Sequence, residues 1–326
     1  MSSNLPQFPS VSSPHDTVAN CPAPFIPKSN PSYREWFISA ALFCITLLST
    51  TYAGLFYTIG DVGLLNALRA FYHDPKLVIY GIPFSIPLIL ILLAHELGHF
   101  FACRYYGMRC TPPFFIPAPF PVTGTFGAFI KIKSHFPNKR VRFDIGIAGP
   151  LAGFVLVVPA LWIGISLSNL IPKGSFHGGD LSFGEPLIFR LLSALLLGYS
   201  PDKHEIIAHP IAMAAWVGLL ATSLNLLPIW QLDGGHIAYA ILGRARQKKL
   251  TVFSIASLII LSFWGWPTPS YLLLGILLLL IGARLRFYHP PTLLDEESLG
   301  AGRIFLGAIA LLILIACFIL VPVSLT

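Results

Sequence analysis

Charge is what this chain has least of. Of its 326 residues only 11% are Asp, Glu, Lys or Arg, where soluble domains carry about 25%. That deficit excludes an ordinary water-facing globule. A cysteine framework is also missing: Cys21, Cys44, Cys103, Cys110 and Cys317 are scattered over tail, spans and loop ends, so no disulfide scaffold is implied. The basic start and apolar core of a cleaved signal peptide are missing too, and the first 30 residues contain no Arg, which a plastid-type transit peptide would show. Residues 1–35, rich in Ser and Pro, cannot bury enough apolar surface to fold alone and read as a disordered cytoplasmic tail.

What is present is hydrocarbon, 55% of the residues. Runs without a formal charge cover 36–60, 77–95, 145–172, 206–232, 250–283 and 304–326, each near or above the ~20 apolar residues that cross a bilayer core. The run at 250–283 is long enough for two spans, broken by the turn-forming WGWPTPS at 264–270. The expected fold is therefore an all-α polytopic membrane protein of about seven transmembrane helices in a lipid bilayer. The net charge of +7 follows from topology. With the N-terminus cytoplasmic, only Arg69, Lys76, Lys173, Arg190 and Lys203 of the 21 basic residues fall outside, as the positive-inside rule requires. Basic excess of this kind does not indicate a nucleic-acid partner. The expected location is a multi-pass position in a bacterial cytoplasmic membrane.

Two segments break the pattern of spans. TPPFFIPAPFPVTGTFGAFIKIK (111–133) is apolar but carries Pro112, Pro113, Pro117, Pro119 and Pro121, which a helix does not tolerate. Its later part reads as short strands with a glycine turn. Because non-helical backbone at membrane depth must be satisfied by protein or a wet cavity, a re-entrant β-hairpin beside a site is expected, with a plain interfacial loop as the simpler reading. Residues 173–205 read as an outside loop, whose amphipathic piece EPLIFRLLSALLLG (185–198) lies at the interface or forms an eighth span.

The chemistry concentrates at the end of the second span. In AHELGHFF (94–101), positions i and i+4 of a helix share a face, so His95 and His99 can address one zinc ion while Glu96 stands beside it over a water. Two imidazoles and a carboxylate inside an apolar span are costly unless something engages them. A catalytic zinc takes three protein ligands and keeps one position open. The third is sought in NLLPIWQLDGGHIAY (225–239), where Asp233 is the only carboxylate. As a bland alternative Asp233 caps a helix; with the histidines it is preferred as ligand, helped inward by Pro228 and the Gly234–Gly235 pair. His236 is the rival ligand, a helix-start residue in its simpler reading. Cys103 and Cys110 lie close to the histidines, but soft thiolates suit closed structural sites.

These residues carry a resemblance. His-Glu-Leu-Gly-His at 95–99, Gly-Thr-Phe-Gly-Ala at 124–128, Ala-Gly-Pro-Leu-Ala-Gly at 148–153 and Asn225…Pro228…Leu232-Asp233-Gly234-Gly235 occur in the order found in the site-2 protease family of intramembrane zinc metalloproteases. The resemblance covers roughly 77–242, the expected catalytic membrane core, leaving 36–60 as an accessory span and 250–326 as C-terminal spans. It implies Zn2+ held by His95, His99 and Asp233, Glu96 as catalytic base and Asn225 as oxyanion donor. It further implies a membrane-anchored protein substrate, cut in or near its transmembrane segment to release a cytoplasmic fragment. The competing classes are a non-proteolytic metal-binding or transport protein, which would show polar ligands along several spans, and a membrane-helix chaperone that binds without cutting.

Overall fold

A computed structural model describes residues 30–60, 63–120, 122–175, 181–264, 271–284, 292 and 298–325. The tail through residue 29, Pro121, and residues 265–270 of the WGWPTPS turn lie outside the described residues. The first helices are α1 (Tyr33–Ile59), α2 (Leu64–His73) and α3 (Val78–Tyr105). Strands β1 (Phe114–Pro117) and β2 (Thr125–Phe129) precede α4 (Lys139–Ser166). Then come β3 (Asn169–Pro172), β4 (Leu181–Phe183), α5 (Leu187–Leu197) and β5 (His204–Ile207). The chain closes with α6 (Pro210–Leu226), α7 (Asp233–Leu242), α8 (Arg244–Trp264), α9 (Leu272–Arg284), α10 (Ala301–Cys317) and β6 (Val323–Leu325).

Helix starts follow caps rather than the first apolar residue. Ser32 accepts from the Glu35 backbone N–H at 3.3 Å while its own N–H donates to the Glu35 carboxylate at 2.9 Å, so α1 opens ahead of residue 36. Asn138 accepts from the Val141 N–H at 2.9 Å and starts α4 six residues before the charge-free run at 145. Among the described residues, three helices are long and apolar enough to cross a membrane: α1, the 75–105 stretch containing α3, and α4. The helices α6 and α10 are apolar but 17 residues long, and α9 has 13. The amphipathic piece forms α5, whose 11 residues span about 17 Å at 1.5 Å each, against about 30 Å of hydrocarbon. At that length α5 falls well short of the hydrocarbon thickness.

The expected all-α class needs one amendment, since among the described residues three two-stranded antiparallel sheets accompany the helices. Strand β3 pairs with β5, and β4 with β6, in segments read from sequence as loop or span. These runs are short and their partners distant, so periodicity had little to register. The β1–β2 pair sets Phe114 opposite Phe129 and Phe115 opposite Ala128. Pairing extends outward through Thr111 and Lys131 (N–H to carbonyl, 3.0 Å) and through Lys133 and Arg109 (2.8 Å). Helix α1 holds this hairpin from behind: Ser49 donates to the Gly124 carbonyl at 2.6 Å and Tyr57 to the Val122 carbonyl at 2.6 Å.

In the core α3 lies between α1 and α4, and α6 packs on both α3 and α4. Phe84, Leu88, Val157, Leu161 and Leu219 are fully buried there. Close approach depends on glycine. A Cβ on Gly98 would overlap the Ala148 carbonyl of α4, and one on Gly54 would overlap the Gly81 backbone of α3. Further out, Arg303 of α10 grips Asp144 of α4 through two hydrogen bonds, Nε to Oδ1 at 2.8 Å and Nη2 to Oδ2 at 2.7 Å.

We expect Gly98→Ala to force α3 and α4 apart at a cost of about 1–3 kcal/mol, seen as a lowered melting midpoint in detergent. The control is Gly302→Ala on α10, where an added Cβ meets nothing within 4 Å; its midpoint should not fall.

Candidate metal centre

Three donor atoms from two distant stretches converge. His95 Nε2 lies 3.1 Å from Asp233 Oδ2, His99 Nε2 lies 3.2 Å from the same oxygen, and the two imidazole nitrogens are 3.2 Å apart. These residues are the one potential metal-holding group found among the described residues. Adjacent ligand atoms around a tetrahedral zinc with bonds near 2.0 Å stand about 3.3 Å apart, so the triangle has the size such an ion requires. A second observation fixes the tautomer. His99 Nδ1 lies 2.7 Å from the Ile145 carbonyl, which can only accept, so Nδ1 carries the proton and the Nε2 lone pair faces the cluster. The donor set therefore fits zinc.

Each donor is placed by backbone. His95 and His99 sit one helical turn apart on α3 and are 5% and 6% exposed. Glycines of α4 make room for their rings: a Cβ on Gly149 would run into the His99 ring, and one on Gly153 would sit 3.2 Å from the His95 Cβ. Gly149 and Gly153 thus shape the wall of the site against the two rings.

Asp233 arrives differently from the expected way. The fourth apolar run is no continuous helix; α6 stops at Leu226, residues 227–232 turn, and α7 starts at Asp233. The Gly234–Gly235 pair does not loosen a helix. It lets the carbonyls of Leu226 and Trp230 pass where side chains would block them. Nor is Asp233 a cap, since Leu232 holds the N-cap position without a side-chain bond and the Asp233 carboxylate is turned to the imidazoles.

The turn contains Trp230 at φ +43°, a left-handed conformation that a bulky residue adopts at a cost. Helix α8 braces it. Thr251 accepts from the Trp230 N–H at 3.0 Å and from the Gln247 amide at 3.0 Å, and donates to the Pro228 carbonyl at 3.2 Å. Sequence reasoning missed Gln247 and Thr251; the usable signal was their i, i+4 spacing, which puts two polar groups on one face of a helix entering lipid.

The remaining candidates sort by geometry. Glu96 is 5% exposed and lines the same 190 Å³ hollow as the three donors, with Phe129 and Ile130 of the hairpin strand across from it. The Asn225 amide, in the last turn of α6, stands 3.3 Å from His95 Nε2. His236 borders the hollow but packs against Phe136 at 5.4 Å between ring centroids and is absent from the donor triangle. Cys103 and Cys110 are buried in a separate cluster with Met108, Phe136, Val141 and Ile145.

A helical membrane protein with a buried two-histidine, one-carboxylate metal centre is the class that fold and site define. The chain belongs to peptidase family M50, whose model matches residues 83–263. It is 29% identical over 303 residues to the Arabidopsis thaliana protein named "Probable zinc metalloprotease EGY1, chloroplastic", covering 86% of this chain and 52% of that one. The rice protein of the same name is 30% identical over 286 residues, covering 82% and 48%. "Probable zinc metalloprotease EGY2, chloroplastic" of Arabidopsis is 30% identical over 231 residues, covering 69% and 39%. The chain thus spans about half the length, or less, of these relatives. Their names place them in the chloroplast, so the expectation of a bacterial cytoplasmic membrane has no support. Hydropathy and charge bias report that a chain spans lipid and which way round it does so, and they are silent about which membrane.

Gly149→Ala should displace the His99 ring and lower bound metal well below one equivalent, measured by elemental analysis. Thr251→Val should leave the Trp230 N–H without its acceptor and weaken metal affinity about tenfold, whereas Thr251→Ser should retain it; equal affinities for the two would show that the brace plays no part in placing Asp233.

Proposed function

We propose that the protein is a zinc metalloendopeptidase that hydrolyses a peptide bond in or near the transmembrane segment of a membrane-anchored protein. The observation that carries this reading is the convergence of His95, His99 and Asp233 within 3.2 Å of one another, with Glu96 lining the same hollow. The family membership and the relatives' names support it.

In this reading His95, His99 and Asp233 hold the zinc. Bound there, zinc supplies Lewis acidity, polarising a carbonyl and bringing water towards ionisation near neutral pH. Glu96 takes the proton from the attacking water and passes it to the leaving amine. Asn225 donates from its amide to the oxyanion that develops on the scissile carbonyl, a role worth about 3 kcal/mol in comparable sites. A substrate helix hides its carbonyls in its own hydrogen bonds and must unwind; the hairpin residues 128–132, several of which line the hollow, offer an edge for the extended segment.

We read the architecture as seven spans, α1, α3, α4, α6, α8, α9 and α10, with β1–β2 re-entering the membrane beside the site. The catalytic core is assigned to 77–242, with 36–60 and 250–326 as accessory spans, and cleavage releases a cytoplasmic fragment such as a membrane-tethered regulator. A transport path would require ionisable ligands along several spans, and the described residues contain one such cluster, at one end of α3.

Glu96→Gln should retain stoichiometric zinc and lose cleavage of a single-span test protein by at least about three orders of magnitude. Asp233→Ala should lose the zinc itself, and a chelator should abolish both product fragments of the wild type. Undiminished proteolysis by Glu96→Gln would reject the assignment.

A further inference from the structure

Two turns of α4, from Phe143 to Gly149, are where α3, α7 and α10 meet. On α3, His99 reaches the Ile145 carbonyl through Nδ1 at 2.7 Å, and its ring lies where a Cβ on Gly149 would stand. On α7, the backbone oxygen of Asp233 and the Cβ of His236 lie 3.3 and 2.9 Å from where a Cβ on Gly146 would sit. On α10, Arg303 holds Asp144 at 2.8 and 2.7 Å. Gly307, one turn further along α10, lies against Phe143 of α4 and Ile241 of α7, whose side chains come within 3.6 and 2.7 Å of where its Cβ would stand. Tyr106, the residue that closes α3, donates its hydroxyl to the same Asp144 carboxylate. The stretch of α4 that gives His99 its acceptor and packs against the start of α7 is therefore gripped by α10, a helix beyond residues 83–263, which match the family model.

A basic residue near the end of a span has an ordinary explanation in topology, and a single exposed lysine would satisfy it. Arg303 does more than orient a helix. Its Nε and Nη2 meet the two carboxylate oxygens as a fork, its Nη1 lies 3.4 Å from the Leu299 carbonyl, and both side chains of the pair are less than a third exposed. A paired fork fixes orientation as well as distance, which a single-contact surface ion pair does not. A second tie, from Arg140 Nε to the Ser298 carbonyl at 2.8 Å, joins the first turn of α4 to the approach to α10. The residue after Asp144 is Ile145, whose carbonyl fixes the His99 tautomer. A hydrogen bond of that length is lost when its acceptor moves by about 1 Å, so a small slide or roll of α4 frees the imidazole to turn.

We propose that Arg303 is a positioning residue for the metal centre: paired with Asp144, it holds α4 where the Ile145 carbonyl orients His99. The proposal rests on zinc ligation by His95, His99 and Asp233 and is independent of the reaction the zinc serves. It makes α10, assigned above to the accessory C-terminal spans, part of how the site is built.

The test measures zinc affinity of the full-length protein in detergent, by competition with a fluorescent chelator and well below each variant's melting midpoint. Arg303→Ala and Asp144→Asn should each weaken zinc binding about tenfold, the scale for losing an outer hydrogen bond that orients a ligand. Arg303→Lys, which keeps the charge without the fork, should retain part of the affinity. The double variant Arg303→Ala/Asp144→Asn should bind zinc no more weakly than either single variant, because both remove one contact. Cobalt in place of zinc should give an altered visible spectrum in Arg303→Ala, a response to ligand geometry that lowered stability alone does not produce. Trp216→Phe removes the indole donation to the Gly184 carbonyl at 2.6 Å; it should lower the melting midpoint and leave affinity and spectrum as in wild type. His99→Ala sets the reference for loss of a ligand. A wild-type affinity and cobalt spectrum in Arg303→Ala, with zinc lost from His99→Ala, would overturn the positioning role and leave the metal site standing, and so would additive losses in the double variant. Undiminished zinc binding by His99→Ala would instead overturn the ligation on which the proposal rests.

Discussion

Bringing a carboxylate to two imidazoles in an apolar interior is the constraint around which the rest of this molecule is arranged. Each of these groups loses hydration on burial, and their lone pairs face one another at 3.1–3.2 Å. Such a triangle is stable only where a shared cation or proton holds it and where surrounding atoms prevent the groups from turning away. The surrounding structure does this at three points. Glycines on α4 admit the imidazole rings, the Ile145 carbonyl fixes the His99 tautomer, and the α6–α7 turn delivers Asp233 at the depth of the histidines.

The delivery of Asp233 uses strain held by packing. Trp230 is kept in left-handed conformation inside a turn bounded by Pro228 and two glycines, and Thr251 satisfies two partners on that turn with a single hydroxyl. A flexible linker would carry Asp233 past the site as often as to it; a turn pinned by α8 does not. The same logic places the hairpin. Helix α1 supplies hydroxyl donors to the Gly124 and Val122 carbonyls at the hairpin's turn, where the Gly124 carbonyl also accepts from the Ala118 N–H. Helices α1 and α8, which contribute none of the proposed catalytic groups, are thus part of how the site is built.

Much of this was legible in residue order. The i, i+4 histidines on an apolar helix define half a metal site by geometry alone, and Asp233, the only carboxylate in 225–239, is an economical choice for the other half. The proline-broken segment announced non-helical backbone, although β1 occupies the proline-bearing Phe114–Pro117 itself. The short pairings β3–β5 and β4–β6 escaped notice, because three or four residues carry no measurable period and their partners are far along the chain.

The sequence by itself determined that the chain lives in lipid, where its ionisable groups are concentrated, and which residue types could hold a metal ion, since these follow from local composition and helical spacing. Tertiary structure brought the Asp233 carboxylate, and not the His236 ring, to the two imidazoles, revealed Gln247 and Thr251 as the brace, and buried Arg142 between two rings. Those outcomes depend on how α4 and α7 meet α3 and how α8 meets the turn before α7, and contacts between residues from 21 to 138 positions apart leave no periodic trace in the chain that makes them.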